Sequence, residues 1–192
     1  MPRSFATLAG LIALASLAGC GDASPEKSAG AQAGAAAVTS GTLAAALSDA
    51  PGMTTVSSAL KGTGLAGVFD GSAPYTMLAP DDDAFGALGE AGQTLKAPEN
   101  GAAMAEVLKA HILPGYLTEA DIEAALTKAE GSPVRMTTMA GSEVTFARQG
   151  EALTVTAADG ATARVDGKEL AASNGVALPI DAVLKNLPKS GG

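Results

Sequence analysis

Residues 75–85 read YTMLAPDDDAF, and this stretch joins a short strand to the start of a helix. Residues 75–79 have the length and the apolar, aromatic and β-branched content of a buried strand, which we expect to end at Pro80. An aspartate directly before the apolar pair Ala84-Phe85 can accept hydrogen bonds from the free N–H groups of a helix start. Helix capping is therefore the role that we predict for Asp81, Asp82 and Asp83.

The aspartate run does not fit the EF-hand calcium loop, which needs alternating oxygen ligands, a central glycine and a glutamate at its twelfth position. Counted from Asp81 and Asp82, the twelfth positions hold Gly92 and Gln93. A weak surface site for a cation is the alternative to helix capping. The sequence predicts no specific metal site and no cofactor.

The segments on either side change from helical to strand periodicity along the chain. Residues 42–47 have high helix propensity, and apolar residues fall at helical spacing over 56–60, before Gly62, which we expect to cap that helix. Residues 118–121 have the form of a capping box, and an apolar stripe follows it. From Val144 to Val155 apolar residues alternate with polar ones. Helices followed by antiparallel strands predict an α+β fold.

Residues 108–115, LKAHILPG, contain the only histidine of the chain. His111 shares helical spacing with Met104 and Val107, which places it on the inward side of the last turn of a helix that stops at Pro-Gly. An unsatisfied buried polar group costs about 1–3 kcal/mol, so we expect a neutral ring with one hydrogen-bonded nitrogen. A structural role is predicted, with partner contact as the alternative, for His111, Pro114 and Gly115.

The sequence contains no arrangement that indicates catalysis. No G-x-S-x-G motif is present, and neither a second histidine nor a cysteine beyond Cys20 could share a metal with His111. Residues 62–67, GTGLAG, match the dinucleotide-binding pattern, but that site needs a preceding strand within a βαβ unit. A helical segment precedes the match here. We therefore interpret its glycines as punctuation between helices and predict that the protein is not an enzyme.

Three segments, in this order and spacing, resemble the fasciclin (FAS1) domain. Residues 75–85 are similar to the first motif of the family, residues 108–115 to its Tyr-His segment, and residues 174–184, NGVALPIDAVL, to its second motif. The resemblance covers about residues 38–188 and implies a wedge of two β-sheets with a surrounding helical layer. It also implies adhesion or ligand binding outside the cytoplasm, without an established catalytic centre.

Two positions depart from the family pattern. Ala110 stands where the family usually has the tyrosine of the Tyr-His pair, which is linked to receptor contact in animal relatives. Pro179 lies within the second motif. Because proline cannot donate a hydrogen bond to a sheet ladder, this residue predicts an edge strand or a bulge.

The N-terminus has the pattern of an export signal. Arg3 is followed by an apolar run over residues 5–17 and by small residues up to Cys20, the only cysteine of the chain. The run is shorter than the roughly 20 apolar residues of a membrane span. Residues 17–20, LAGC, resemble the bacterial lipobox, which implies cleavage before Cys20 and lipid on its sulfur. An ordinary signal peptide with a cysteine at its boundary is the alternative.

These features divide the chain into a lipoprotein signal peptide (1–19), a flexible tether (20–38), a FAS1 domain (39–188) and a disordered tail (189–192). Loss of residues 1–19 removes one of 12 basic residues and none of 20 acidic residues, so the formal charge becomes 11 − 20 = −9. This charge argues against binding to nucleic acid or to anionic lipid headgroups.

We therefore expect a non-enzymatic FAS1 module that is exported and anchored in the cell envelope, with the outer membrane favoured. The lipid on Cys20 would attach the protein to the membrane, and the partner would be a protein, a glycan or a matrix component. The alternative is a periplasmic carrier or accessory protein that holds a small apolar ligand within the sandwich. Few aromatic side chains, 4 Phe and 2 Tyr without Trp, could leave room for such a ligand.

Overall fold

The computed structural model describes residues 40–187. The predicted signal peptide, Cys20, the predicted tether and the predicted tail at 189–192 lie outside the described residues. Between residues 40 and 187, no helix is both long and apolar enough to cross a membrane.

Helices dominate the first half of the described chain and strands the second half, as the change in periodicity predicts. The helices are α1 (Leu43–Asp49), α2 (Thr54–Gly62), α3 (Asp82–Gly86), α4 (Gly89–Lys96), α5 (Gly101–Lys109) and α6 (Glu119–Lys128), with 3-10 turns at Leu65–Val68 and Pro98–Asn100. The strands are β1 (Tyr75–Pro80), β2 (Ile112–Pro114), β3 (Val134–Thr137), β4 (Glu143–Gln149), β5 (Ala152–Ala157), β6 (Thr162–Arg164), β7 (Leu170–Ala172) and β8 (Gly175–Ile180).

The strands form two four-stranded sheets. The first sheet has the order β2-β1-β8-β7, in which β1 is parallel to β8 and each outer strand is antiparallel to its neighbour. The second sheet has the sequential order β3-β4-β5-β6 and is antiparallel throughout. A bridge between Val165 and Ile180 joins the end of β8 to the residue that follows β6. The predicted α+β fold with two sheets is confirmed.

The first sheet is the middle layer of the domain. One face of β1 and β8, including Met77 and Ala177, packs with α1 to α5 in one hydrophobic core. The opposite face, including Leu78 and Val176, packs with the second sheet and α6 in another core. Because both faces of β1 and β8 are covered, these strands are almost continuously buried, and their sequences are apolar except at Thr76.

Residues 109–115 differ from their predicted structure. α5 ends at Lys109 and has Ala110 as its C-cap, so His111 lies just beyond the helix and not in its last turn. Pro114 does not stop a helix, because it belongs to β2, which pairs with β1. The prediction was wrong because β2 follows α5 almost directly and its apolar side chains are also buried. The buried positions of β2 therefore continue the helical spacing of α5, and the change of structure leaves no mark in the sequence pattern.

Two further predictions are wrong in detail. Gly62 is the last residue of α2, and the left-handed residue that follows is Gly64, with φ of 74°. Pro179 lies in β8, which is an inner strand and not an edge. The Pro179 carbonyl accepts a hydrogen bond from the N–H of Asp166, on the side away from β1. The missing N–H of the proline faces the same side, so the ladder with β1 stays intact.

Candidate functional site

His111 lies at the junction between α5 and β2, and its side chain is fully buried. Its Nε2 accepts a hydrogen bond of 2.8 Å from the backbone N–H of Leu184. Its Nδ1 lies 2.7 Å from the carbonyl oxygen of Val107, which can only accept. The ring is therefore neutral, with its proton on Nδ1 and both nitrogens satisfied. The sequence predicted one hydrogen bond to the ring, and the structure has two.

The surroundings of His111 oppose its protonation. Burial lowers the pKa of the imidazole from 6.5 to about 4, although the hydrogen bond to Val107 and the charge of Asp159 both act to raise it. Protonation would also place an N–H on Nε2, opposite the N–H of Leu184, and would break that bond. A ring that is buried, neutral and doubly hydrogen-bonded is unavailable to a substrate as a general base.

Asp159 provides a second attachment for the segment that His111 holds. Its carboxylate accepts a hydrogen bond of 3.0 Å from the N–H of Asn186 and lies 3.4 Å from the Lys185 nitrogen. Burial alone would raise the pKa of Asp159, but the backbone hydrogen bonds from Asn186 and Ala161 and the charge of Lys185 lower it. Residues 183–187 are thus held by two backbone hydrogen bonds, one from Leu184 to His111 and one from Asn186 to Asp159.

The segment that follows His111 reaches the surface at Pro114, Gly115 and Tyr116. Pro114 is exposed, and Gly115 has a φ of 106°, a value that favours glycine. The Thr76 hydroxyl donates to the Gly115 carbonyl at 2.9 Å and accepts from the N–H of Leu117 at 2.8 Å, which fixes the turn. The Tyr116 side chain then projects outward and is 37% exposed. This turn presents an aromatic ring to solvent on a rigid backbone.

The three aspartates at 81–83 have different roles. Asp81 is the N-cap of α3, and its carboxylate accepts from the N–H of Ala84 at 2.6 Å. Asp82 accepts from the N–H groups of Thr55 and Thr54, at 2.7 and 3.3 Å. It therefore caps the start of α2, a helix that lies well before it in the sequence. Burial would raise the pKa of Asp82, but these hydrogen bonds lower it. Asp83 is exposed. Among residues 40–187, no group of three or more potential metal ligands is assembled.

The G-x-G-x-x-G match at 62–67 joins the end of α2 to the 3-10 turn Leu65–Val68. A helix, not a strand, precedes the match, and the element that follows is only four residues long. The geometry of a dinucleotide-binding loop is therefore absent from this stretch.

A surface groove of about 450 Å³ lies between α2 and the segment that runs from the end of α4 into α5. Leu95 and Met104 form its apolar floor, and Thr55 and Ser58 of α2 also line it. This volume is within the range of small-molecule sites in proteins. The groove lies in the helical layer, whereas the carrier hypothesis places a ligand within the sandwich.

A protein-family model described as the Fasciclin domain matches residues 51–186. The chain belongs to the fasciclin domain family. The prediction made from the three motifs is thereby confirmed, and so is the fasciclin-like architecture.

Other comparisons agree with this assignment. Protein sll1483 of Synechocystis is 32% identical to this fasciclin chain over 132 residues, which covers 68% of this chain and 65% of that protein. A solved FAS1 domain pair from the insect cell adhesion molecule Fasciclin I has a TM-score of 0.54 and 22% identity, over 66% of this chain and 43% of that one. The match spans less than two thirds of either relative. The insect structure supports the fold alone.

Sequence reasoning missed three features of the fasciclin domain. The Asn174 side chain accepts from the N–H of Leu43 and donates to the carbonyls of Phe69 and Gly71, so it joins three separated segments. The helical groove depends on how α2, α4 and α5 pack, which no local pattern encodes. Tyr116 could have been found, since Pro114-Gly115 indicates a turn and turns lie at the surface.

Proposed function

We propose that this fasciclin protein is a non-catalytic binding module, exported from the cytoplasm and anchored in the cell envelope by lipid on Cys20. The observation that carries the proposal is the match of residues 51–186 to the fasciclin domain, a domain associated with adhesion. The insect relative is described as a cell adhesion molecule. The burial of His111, the only histidine, also supports a role without acid–base catalysis.

The partner-binding surface in this proposal is the turn Pro114–Tyr116. Tyrosine is enriched among the residues that dominate binding energy at interfaces, because it offers a large apolar area together with a hydroxyl group. Tyr116 and Met139 are the exposed large hydrophobic side chains among the described residues. The N–H of Met139 donates to the carbonyl of Ile112 in β2, so both residues belong to the surroundings of that strand. The partner would be a protein, a glycan or a matrix component of the envelope.

The anchor is tested by metabolic labelling with radioactive palmitate in cells that express the full chain. Label should appear on the wild-type protein and be lost in Cys20→Ser, which should also leave the membrane fraction. An unlabelled wild-type chain would refute the lipid anchor.

Binding is tested separately, with the same cells applied to immobilised envelope and matrix fractions. Tyr116→Ala should reduce retention strongly, since truncation of a central aromatic contact costs about 2 kcal/mol or more. Lys128→Ala, an exposed substitution at the end of α6, should retain wild-type binding. Equal binding by Tyr116→Ala and the control would show that the turn is not the contact surface.

A periplasmic carrier of a small ligand is the second candidate function, and the groove beside Leu95 and Met104 favours it. Native mass spectrometry of the protein purified from its own host distinguishes the two candidates. A co-purified small molecule would favour the carrier, whereas a mass equal to that of the processed chain would favour the binding module.

A further inference from the structure

We infer that the groove between α2 and the α4–α5 segment binds a small amphipathic carboxylate, with its apolar part on Leu95 and Met104 and its carboxylate at Lys96. The inference names a ligand class for the second candidate function, and its biological meaning rests on that function. The test of the inference does not rest on that function, because binding is measured on the isolated protein.

The apolar part of the ligand follows from the floor of the groove. Leu95 is 6% exposed and Met104 is 4% exposed, so each presents only a small area of apolar surface at the bottom of a space of about 450 Å³. Ala59 and Pro98 extend the apolar lining up the sides. Removing such surface from water favours an apolar ligand.

The charge of the ligand follows from Lys96. It is the only charged residue that lines the groove, and it stands in a chain of formal charge −8. Within residues 40–187 Lys96 makes none of the ion pairs, whereas Lys109 pairs with Glu106 and Lys185 pairs with Asp159. An ammonium group without a partner beside an apolar surface is complementary to an amphipathic anion.

A hydroxyl group completes the recognition of a carboxylate. Ser58 lines the groove, and its hydroxyl makes none of the hydrogen bonds found among the described residues. Thr55 also lines the groove, but its side chain is hydrogen-bonded to the Asp82 carboxylate. A carboxylate has two oxygens and can accept several hydrogen bonds, so one oxygen can bind Lys96 while the other accepts from a hydroxyl. Two further grooves differ, because carboxylates accompany their lysines: Asp81, Asp82, Asp83 and Asp166 line one together with Lys168, and Glu90 lines the other together with Lys185.

Octanoate is the probe, added to the full chain carrying Cys20→Ser so that no attached acyl chain competes for the groove. With methyl-labelled methionine, the NMR signal of Met104 reports the floor directly. Met139 is 36% exposed and reports non-specific contact with apolar surface. Octanoate should shift the Met104 signal saturably and leave Met139 unchanged. No shift of Met104, or an equal shift of Met139, would overturn the inference.

The contribution of charge is tested with octanol and with lysine variants. Octanol, which has the same chain without a charge, should bind about tenfold more weakly than octanoate. Lys96→Gln should weaken octanoate binding about tenfold and leave octanol binding unchanged. Lys128→Gln is the matched control, because Lys128 and Lys96 each lie in the last turn of a helix. Equal affinity for octanoate and octanol would refute the assignment to Lys96.

The position of the site is tested by filling the groove. Gly101 has helical backbone angles, and a Cβ added there would meet no atom within 4 Å. Gly101→Leu should therefore fold normally and abolish the Met104 response. Gly67→Leu is the control, since Gly67 is also unobstructed and lies outside the groove. Octanoate binding that survives Gly101→Leu would place the site elsewhere and overturn the inference. Glucuronate, a carboxylate without an apolar chain, is a further probe. Binding of glucuronate with no response to octanoate would also overturn the inference.

The outcomes separate this inference from the proposed function. Octanoate binding at Met104 without palmitate on Cys20 would uphold the groove and refute the anchor. An anchored protein that retains its envelope partner but shows no response to octanoate would refute the groove alone.

Discussion

Replacement of His111 by alanine should destabilise the fold strongly. The substitution leaves the N–H of Leu184 without its partner at 2.8 Å. It also removes the 2.7 Å bond to the Val107 carbonyl, which keeps a bond of 3.1 Å from the N–H of Ala110. The unsatisfied buried N–H costs about 1–3 kcal/mol, and the loss of a fully buried ring adds a cavity. We therefore expect the free energy of unfolding to fall by about 3–5 kcal/mol, a large part of the 5–15 kcal/mol typical of a native domain.

The assay is urea denaturation at pH 7, with thermal melting as a second probe. For a domain of this size, the expected loss lowers the melting temperature by about 10 °C. His111→Asn and His111→Gln serve as matched variants, since an amide group can approach the position of Nδ1 in the first and of Nε2 in the second. Each should restore part of the stability. A loss below about 1 kcal/mol in His111→Ala would refute the structural role.

Three further predictions concern pH and the packing of β8. The pKa of His111 falls from 6.5 to about 4 on folding. The contribution of the neutral ring to the free energy of unfolding is therefore complete above pH 6.5 and is lost as the pH falls towards 4. Urea titrations should show a loss of roughly 3 kcal/mol over that range, and a much smaller loss in His111→Gln. Asn174→Ala removes three hydrogen bonds, two buried and one partly buried, and should lower the free energy of unfolding by about 3 kcal/mol. Asn100→Ala, which removes one exposed hydrogen bond, should cost less than half of that. Gly175→Ala places a Cβ 2.5 Å from the carbonyl oxygen of Tyr75, and calorimetry should find a lower melting temperature than for Gly67→Ala, where a Cβ meets nothing.

The parts of the fold that the sequence predicts are those set by local chemistry. Proline and aspartate fix the boundary between β1 and α3, and the capping box of α6 forms between Thr118 and Asp121. Residues 144–155 alternate because β4 and β5 bury one face of a sheet. In each case, the residues that determine the structure are within a few positions of one another.

The features that the sequence did not predict depend on contacts between distant segments. Strand β2 exists because β1 provides a partner, although its residues continue the helical spacing of α5. Pro179 is tolerated in an inner strand because the turn at Asp166 meets it on the side where its N–H is missing. The Leu184 bond to His111 spans 73 residues, and the groove beside Lys96 requires three helices. No local pattern contains this information.

The most direct test of the proposed binding module follows a C-terminal tag on the full chain through protease treatment of spheroplasts and of lysed cells. We predict that the tag sediments with the membrane and is digested in spheroplasts, whereas Cys20→Ser releases it from the membrane. Digestion in untreated cells would further place the domain on the cell surface. A tag that stays protected until the cytoplasmic membrane is broken would contradict export, and with it the proposed function.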